Sequence, residues 1–322
     1  MNNLDFINCF DSVKDESLTV LKGLDSNTQK KINSKYFYDE KGSLLFEKIT
    51  KLDDYYPTKI ECEILEENKK NIKKILPSHS IVIEFGSGSN HKIKKLLDAI
   101  DKPSEYIPID ISKEFLFKNA KDFAKNFPDL KIKAICADFD QIEQLQQIIC
   151  GEKSKIGFFP GSTIGNYSPE DAKKLLKNFS RILGNDGFLI IGVDLKKDIE
   201  VLEKAYNDSE GLTAAFNKNI LNGVNRICGK IFDSKYFSHK AFFNEKKSRI
   251  EMHLVSEKKQ IIEILNTKIH FEEGETIHTE NSYKYTVSRF RNLAELSNFE
   301  IIDVLKDDKA FFGVFIMKVK SI

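Results

Sequence analysis

Short apolar strands alternate with helical segments between residues 80 and 195, and this alternation limits the fold more than any other feature of the sequence. Helices are predicted over 92–100 and 113–126, and a third opens at Ser168, an N-cap serine followed by a proline and two acids. Strands are predicted over residues 80–84, 106–110, 131–137, 155–159 and 187–195. This spacing is typical of βαβ units, so we expect a parallel sheet with helices on both faces and ligands at the carboxyl ends of its strands.

The alternation stops after residue 197. Residues 199–227 have a helical pattern, and residues 241–272 have the pattern of antiparallel strands. A last helix over 287–299 precedes a closing antiparallel hairpin formed by residues 300–305 and 310–319. The sequence therefore predicts an α/β fold with a Rossmann-like sheet that is interrupted by an insertion at about 197–286.

The segment before the first strand is less regular. Residues 1–35 are polar and turn-rich with weak helical periodicity. Residues 59–76 have apolar side chains at helical spacing, and Pro77 ends this predicted helix.

Charge and cysteine usage exclude several function classes. The chain has 50 basic and 49 acidic residues, a net charge of +1, and few arginines, so we expect no nucleic-acid partner. The N-terminus has no signal-peptide pattern, and the longest apolar runs, such as 188–193, are too short to span a membrane. Five scattered cysteines without a CxxC pair, and no HExxH motif, predict a cytoplasmic protein with reduced thiols and no metal. Nothing demands more than a monomer.

A glycine-rich loop follows the first strand of the alternating region. Gly86 and Gly88 allow a tight turn and a close approach of the backbone to a ligand. A dinucleotide-binding loop would have a third glycine where His91 stands, and the lysine of a phosphate-binding P-loop is missing. A plain β-to-α turn therefore remains open for this loop.

The next strands also end in acidic or polar residues. Asp110 lies 22 residues beyond Gly88, where an acid can accept both ribose hydroxyls of an adenosine, although it could also cap the following helix. At the end of the third strand, Asp138 could accept the adenine amino group while Phe139 lies on the ring. Polar ends on successive strands suit an adenosine that carries no pyrophosphate.

The sequence resembles the histidine-specific, S-adenosylmethionine-dependent Nα-methyltransferases of the ergothioneine pathway. The FPGSTIGN stretch at 159–166 is the most specific match, whereas the GxG loop alone is not specific. The matching stretches keep their order from about residue 35 to the C-terminus: KYFYDEKGS (35–43), DYYPT (54–58), EFGSGS (84–89), FFPGSTIGN (158–166), GVDL (192–195), AYND (205–208), TAAFN (213–217), EMHL (251–254) and TENSYKY (279–285).

The resemblance implies a class I methyltransferase fold with a second, smaller α+β domain. The cofactor, S-adenosylmethionine, would bind to residues 61–196 and 287–322, and the substrate domain would comprise residues 1–60 and 197–286. The implied reaction methylates the α-amino group of free L-histidine up to three times to give hercynine. We expect the cofactor to contact Glu84, Gly86, Ser87, Gly88, Lys92, Asp110, Asp138, Phe139 and Gly161.

The resemblance also implies a substrate site between the two domains. Asn166 and Tyr206 would hold the carboxylate and the amine, and Tyr38 and Tyr55 would line the pocket. The imidazole nitrogens would bind to Glu280 and Ser282, with Met252 beside the ring. Tyr38, as a phenol near the amine, and Asn166 are the residues implied to take part in catalysis.

The sequence around each of these residues also allows a structural role instead of a role in the site. Asn166 could instead form an Asx turn before Ser168. Glu280 and Ser282 lie two apart on a predicted strand and so share one face, which could also be an ordinary exposed surface. The tyrosines, taken one at a time, could be ordinary packing.

Two further functions compete with histidine methylation. The substrate could be another aromatic amino acid, although an indole offers one N–H and no second nitrogen for Ser282. The protein could also be a non-catalytic binding protein that keeps the cofactor fold. The intact residues Gly86, Gly88, Asp110, Asp138 and Asn166 argue against that second possibility.

Overall fold

The chain forms two compact units in a computed structural model that describes residues 3–9, 16–26, 28–88, 90–138, 142–151 and 153–321. The first unit comprises Met1–Asp11, Pro57–Lys196 and Lys284–Ile322. The second unit comprises Ser12–Tyr56 and Lys197–Tyr283. Each unit is described by itself below.

Fourteen strands and eleven α-helices are formed by the described residues. The strands are β1 (Leu4–Asn8), β2 (Lys30–Lys31), β3 (Ile81–Phe85), β4 (Glu105–Asp110), β5 (Lys131–Cys136), β6 (Lys155–Phe159), β7 (Phe188–Asp194), β8 (Phe237–Asn244), β9 (Arg249–Ser256), β10 (Gln260–Ile264), β11 (Thr267–Phe271), β12 (Thr276–Tyr283), β13 (Phe299–Lys306) and β14 (Phe312–Val319). The helices are α1 (Glu16–Leu24), α2 (Glu40–Ile49), α3 (Tyr56–Glu67), α4 (Lys69–Ile75), α5 (His91–Ala99), α6 (Lys113–Asn126), α7 (Ile142–Ile148), α8 (Pro169–Leu183), α9 (Ile199–Lys204), α10 (Leu212–Cys228) and α11 (Val287–Glu295).

The first unit is built on an eight-stranded sheet in the order β1-β5-β4-β3-β6-β7-β14-β13. The first six strands in this order are parallel, and the β13–β14 hairpin joins β7 in antiparallel orientation. All five residues of β3 are buried, as expected for a strand covered on both faces. The α/β sheet with a closing antiparallel hairpin is therefore confirmed.

Helix α8 shows how local sequence fixes the elements around this sheet. Ser168 accepts a hydrogen bond from the Asp171 N–H, and Pro169 occupies the first helical position, where its missing N–H costs nothing. The buried face of α8 includes Leu175, Leu176 and Phe179. The Phe179 ring stacks on Phe85 of β3 with centroids 3.9 Å apart, so α8 packs directly on the central strand.

The second unit combines a four-stranded sheet with helices. Its strand order is β2-β12-β9-β8, and β12 and β8 both pair with β9 in antiparallel orientation. Strands β10 and β11 form a separate hairpin. The helices of this unit pack against its four-stranded sheet through an apolar core that includes Phe37, Phe216, Ile250 and Leu254.

Three details differ from the sequence-based expectation. Residues 1–60 are predicted to lie in the second domain, but β1 is the edge strand of the large sheet because it pairs in parallel with β5. The helix predicted over 59–76 divides at Asn68, whose side chain donates to the Ile64 carbonyl. Residues 199–227 form two helices, because the Asp208 carboxylate accepts two N–H groups from the first turn of α10 and caps it.

Candidate cofactor and substrate sites

The glycine loop after β3 is tied to the neighbouring strand. Gly86 has a positive φ of 76°, which few other residues adopt without strain. The N–H groups of Gly86 and Ser87 both donate to the carbonyl of Ile109, at 2.9 and 3.0 Å. Because these two amides are already used, the loop presents its shape rather than those N–H groups to a ligand. A Cβ added at Gly88 would meet no atom within 4 Å, so there is open space beside it.

Beneath this loop, Glu84 is almost fully buried. The Tyr106 hydroxyl donates to its Oε2 at 2.5 Å, and the Ser87 hydroxyl lies 3.4 Å from the Tyr106 oxygen. Burial raises the pKa of Glu84 to about 7, against the lowering effect of the Tyr106 and Ser87 hydrogen bonds. Near neutral pH this carboxyl is therefore partly protonated, and its charge changes with pH in that range.

Asp110 is the last residue of β4, and Asp138 lies just after the neighbouring strand β5. Asp110 pairs with Cys136 in the β4–β5 ladder, and Asp138 lies two residues beyond Cys136. The Asp110 carboxylate accepts the Ser112 N–H at 2.8 Å, but Ser112 is itself the N-cap residue of α6, so Asp110 does not cap that helix. Burial nonetheless raises its pKa to about 7. Phe139, the expected adenine contact, lies outside the described residues.

One buried carboxylate near the carboxyl ends of these strands, that of Glu61, was not predicted from the sequence. Glu61 is fully buried, and its two oxygens accept the Gly161 N–H at 3.1 and 2.9 Å. Its Oε2 also lies 2.6 Å from the Lys92 ammonium. Glu61 therefore positions two of the expected cofactor residues. Its sequence signal is a charged side chain on the buried face of α3, which also carries Ile64 and Leu65.

The loop after β6 positions Asn166 at the end of a short 3-10 helix, Thr163–Asn166. The Asn166 side chain makes no hydrogen bond within the part of the chain that the structure describes, so it does not form the alternative Asx turn. Ser162, with φ 55°, accepts the Asp194 N–H at 2.9 Å. Asp194 in turn binds the buried Lys284 ammonium at 2.6 Å, which fixes the end of β7 against this loop.

The second unit brings the predicted tyrosines together. Tyr38 contacts Phe46 edge-on with centroids 6.1 Å apart, and Phe46 contacts Tyr55 in the same way at 6.0 Å. Tyr55 then contacts Tyr206 at 6.4 Å. The three tyrosines thus belong to one continuous aromatic cluster.

The other predicted substrate residues lie on one face of the sheet, on strands β9 and β12. In the ladder with β9, Glu280 pairs with Met252 and Ser282 pairs with Ile250, which places Glu280 and Ser282 on the same face as Met252. The Tyr206 hydroxyl donates to the Ser282 Oγ at 2.8 Å, and both groups are buried. Six of the seven expected substrate residues therefore meet within this unit, whereas Asn166 belongs to the first.

Over residues 14–319 the sequence matches a family described as histidine-specific, SAM-dependent methyltransferases. The chain belongs to this family. Two relatives are named histidine N-alpha-methyltransferase: one from Mycobacterium tuberculosis is 35% identical over 271 residues, which cover 83% of each chain. The other, from Mycolicibacterium smegmatis, is 36% identical over 261 residues, 80% of each chain. Ergothioneine biosynthesis protein 1 of Schizosaccharomyces pombe is 28% identical over 295 residues, 88% of this chain and 38% of the relative.

Among the residues that the structure describes, one cluster has metal-ligand chemistry, and it lies on β9 and β12 on the face opposite Met252. Ligand atoms of Glu251, His253 and His278 lie within 4.8 Å of one another, and all three residues are buried. Burial raises the pKa of Glu251, but hydrogen bonds from Arg249 and His253 outweigh it and hold the pKa at about 2. Burial lowers the pKa of His278 to about 4.

The geometry of that cluster favours a hydrogen-bonded network over a metal centre. The His253 and His278 rings are stacked, with centroids 4.7 Å apart and planes inclined by 10°. A metal ion lies in the plane of each imidazole that binds it, so parallel stacked rings cannot both direct a lone pair at one ion. Arg249 already binds the Glu251 carboxylate at 2.8 Å through its Nε. The expectation that the methyltransferase needs no metal stays a prediction.

No helix in the described part of the methyltransferase has both the length and the apolarity needed to cross a bilayer.

Proposed function

We propose that this methyltransferase transfers methyl groups from S-adenosylmethionine to the α-amino group of free L-histidine, up to three times, to give hercynine. The observation that carries the proposal is the pairing of Ser282 with Tyr206, beside Glu280 on the same face of β12. These groups adjoin an aromatic cluster, as a site for a histidine side chain and a methylated amine requires. Membership of a histidine-specific family supports the same substrate.

Glu280 and Ser282 match the hydrogen-bonding groups of a neutral imidazole. Such a ring has one N–H donor and one nitrogen that accepts. A carboxylate is an acceptor only, so Glu280 would take the N–H. Because Tyr206 donates to Ser282, the Ser282 oxygen is the acceptor in that contact, and in the proposed complex its hydroxyl would donate to the second nitrogen. An indole has no second nitrogen, and a phenyl ring has neither, so both would leave polar groups of the site unpaired.

The cofactor residues of the first unit fit an adenosine-containing sulfonium compound. The glycine loop leaves open space at Gly88, and Asp110 and Asp138 lie at or just after the ends of adjacent strands, as ribose and adenine contacts require. Glu61 holds the Gly161 amide and the Lys92 ammonium in place. S-adenosylmethionine, when bound, supplies an electrophilic methyl group on a sulfonium.

The protein's own contribution is mainly to hold the amine. Methyl transfer needs a neutral amine with its lone pair directed at the methyl carbon, and orientation alone can supply about 7–11 kcal/mol of the barrier. The Asn166 amide offers both a donor and an acceptor, which suits an amine and a carboxylate together. Tyr38 would help to remove the proton from the amine. Aromatic faces around Tyr38 would stabilise the quaternary ammonium of the trimethylated product by about 0.5–2 kcal/mol.

Mass spectrometry of the purified protein with S-adenosylmethionine and each free amino acid in turn tests this proposal. We expect mono-, di- and trimethylated products from histidine alone. Glu280→Ala should reduce kcat/KM for histidine at least about 100-fold, since it leaves the imidazole N–H unpaired. Glu263→Ala, which removes an exposed carboxylate from β10, is the matched control and should behave as wild type. Methylation of another amino acid would replace histidine as the substrate, and no methylation at all would favour a non-catalytic binding protein.

We also propose that the methyltransferase acts as a cytoplasmic monomer on this small molecule, without nucleic acid or membrane. Its net charge of +1 and its five scattered cysteines, which include no CxxC pair, support this. Light scattering and cell fractionation test it, and a dimer or a membrane-bound pool would contradict it.

A further inference from the structure

A fully buried asparagine of helix α10 connects three strands of the second unit. The Asn217 Nδ2 donates to the His239 Nδ1 of β8 at 2.8 Å and to the His253 carbonyl of β9 at 2.9 Å. Its Oδ1 accepts the Thr279 hydroxyl of β12 at 2.7 Å. All the hydrogen-bonding groups of this amide are therefore directed at the sheet that carries Glu280 and Ser282.

The contacts of His239 define its tautomer. Its Nε2 lies 2.9 Å from the Tyr206 carbonyl, which can only accept, so Nε2 carries the hydrogen. Its Nδ1 must then be the acceptor for the Asn217 amide. Burial lowers the pKa of His239 and outweighs the bond to the Tyr206 carbonyl, so the ring is neutral. His239 thus links the backbone of Tyr206 to Asn217.

Thr279 forms the other end of this connection. The β9–β12 register shifts between His278 and Glu280, which makes Thr279 the extra residue of a bulge. Its hydroxyl lies within hydrogen-bonding distance of Asn217 and of the Met252 carbonyl, at 2.7 and 3.0 Å. Helix α10 therefore holds the bulge through Asn217, at the residue immediately before Glu280.

These contacts form one continuous path. It runs from the Ser282 hydroxyl to the Tyr206 hydroxyl, and from the Tyr206 carbonyl through His239 and Asn217 to Thr279, next to Glu280. We infer that Asn217 and His239 are positioning residues that set the separation of Glu280 and Ser282, and so the selectivity for the substrate side chain. The inference rests on the proposed function of that pair. Neither residue needs to touch the substrate.

Substitutions at His239 and Asn217, with one control, separate this role from a general effect on folding. His239→Leu removes both ring hydrogen bonds, whereas His239→Gln keeps a donor and an acceptor on one planar amide. His270→Gln, at an exposed position on β11, is the control. Each purified variant is assayed for kcat and KM with histidine, for the Kd of S-adenosylhomocysteine, and for thermal unfolding.

We expect His239→Leu to raise KM for histidine at least about tenfold, with the Kd of S-adenosylhomocysteine within about twofold of wild type. His239→Gln should recover most of the loss, and His270→Gln should match wild type. Asn217→Asp, which cannot donate to His239, should act as His239→Leu does. A folded His239→Leu protein with wild-type KM would overturn the inference. An equal weakening of the binding of histidine and of S-adenosylhomocysteine would overturn it as well. If the wild-type protein methylates another amino acid, the proposed function fails. The same variants are then measured with that amino acid, and a wild-type KM or an equal weakening of both ligands would again overturn the inference.

Discussion

Replacement of Glu61 by glutamine provides a sharp test of how the cofactor edge of the sheet is held together. The substitution keeps the shape of the side chain and an acceptor for the Gly161 N–H, but it removes the charge that pairs with Lys92. The pair is protected from water, since the Glu61 and Lys92 side chains are 1% and 12% exposed. The ammonium would therefore lose its partner in a site of low polarity.

The size of the effect follows from that burial. Removing one partner of a buried ion pair costs about 3–5 kcal/mol, and the slight exposure of Lys92 lets water recover part of it, so we expect a loss of about 2–4 kcal/mol. The hydrogen bond to Gly161 also weakens, because a neutral acceptor replaces a charged one. The double variant Glu61→Gln/Lys92→Met removes both charges and should be more stable than Glu61→Gln alone by about 1 kcal/mol or more.

Urea unfolding of the ligand-free protein measures these differences, with Glu63→Gln as the control. Glu63 lies on the exposed side of the same helix, so its replacement should change stability by less than about 0.5 kcal/mol. Calorimetry with S-adenosylhomocysteine should show about tenfold weaker binding for Glu61→Gln. The reasoning is refuted if Glu61→Gln is as stable as Glu63→Gln, or if the double variant is the least stable of the set.

Two further predictions concern the same sheet. Because folding raises the pKa of Glu84 from 4.5 to about 7, the native state loses stability as the pH rises from about 4.5 to 7, and the loss is complete above pH 7. Glu84→Gln should thus be more stable than wild type by about 3 kcal/mol at pH 8 and equal near pH 4.5 in urea titrations, and a constant difference would contradict the shift. A Cβ at Gly192 would lie 2.0 Å from the Glu61 carboxylate, whereas one at Gly88 would meet nothing within 4 Å. Gly192→Ala should therefore lower the melting temperature and Gly88→Ala should not; equal melting temperatures would show that Glu61 can move aside.

Much of the first unit could be predicted from sequence because its elements are set by local signals. Buried parallel strands are continuous apolar runs, and the strand predicted over 80–84 lies within one residue of β3. Ser168 and Pro169 fixed the start of α8 through capping chemistry alone. The positions of Asp110 at the end of β4 and of Asp138 just after β5 were also predictable, because parallel strands end at a common side of the sheet.

Glu61 was missed because its role depends on partners far along the chain. Its contact with the Gly161 N–H spans 100 residues, and helical periodicity records only that a charge sits on an apolar face. Asn68 was missed for a different reason. Its side chain competes with the backbone for a helix carbonyl, a local effect that periodicity does not reveal.

The bulge at Thr279 is the clearest limit of strand periodicity, because it changes which face each side chain occupies. Simple alternation would put His278, Glu280 and Ser282 on one face of β12. The register instead pairs His278 with His253 and Glu280 with Met252, and those two partners are neighbours on β9 that point in opposite directions. The inserted residue therefore sends His278 to the Glu251–His253 network and leaves Glu280 with Ser282 on the other face. A histidine two residues from the substrate pair is separated from it by the sheet, and the position of Glu280 depends on what holds the bulge.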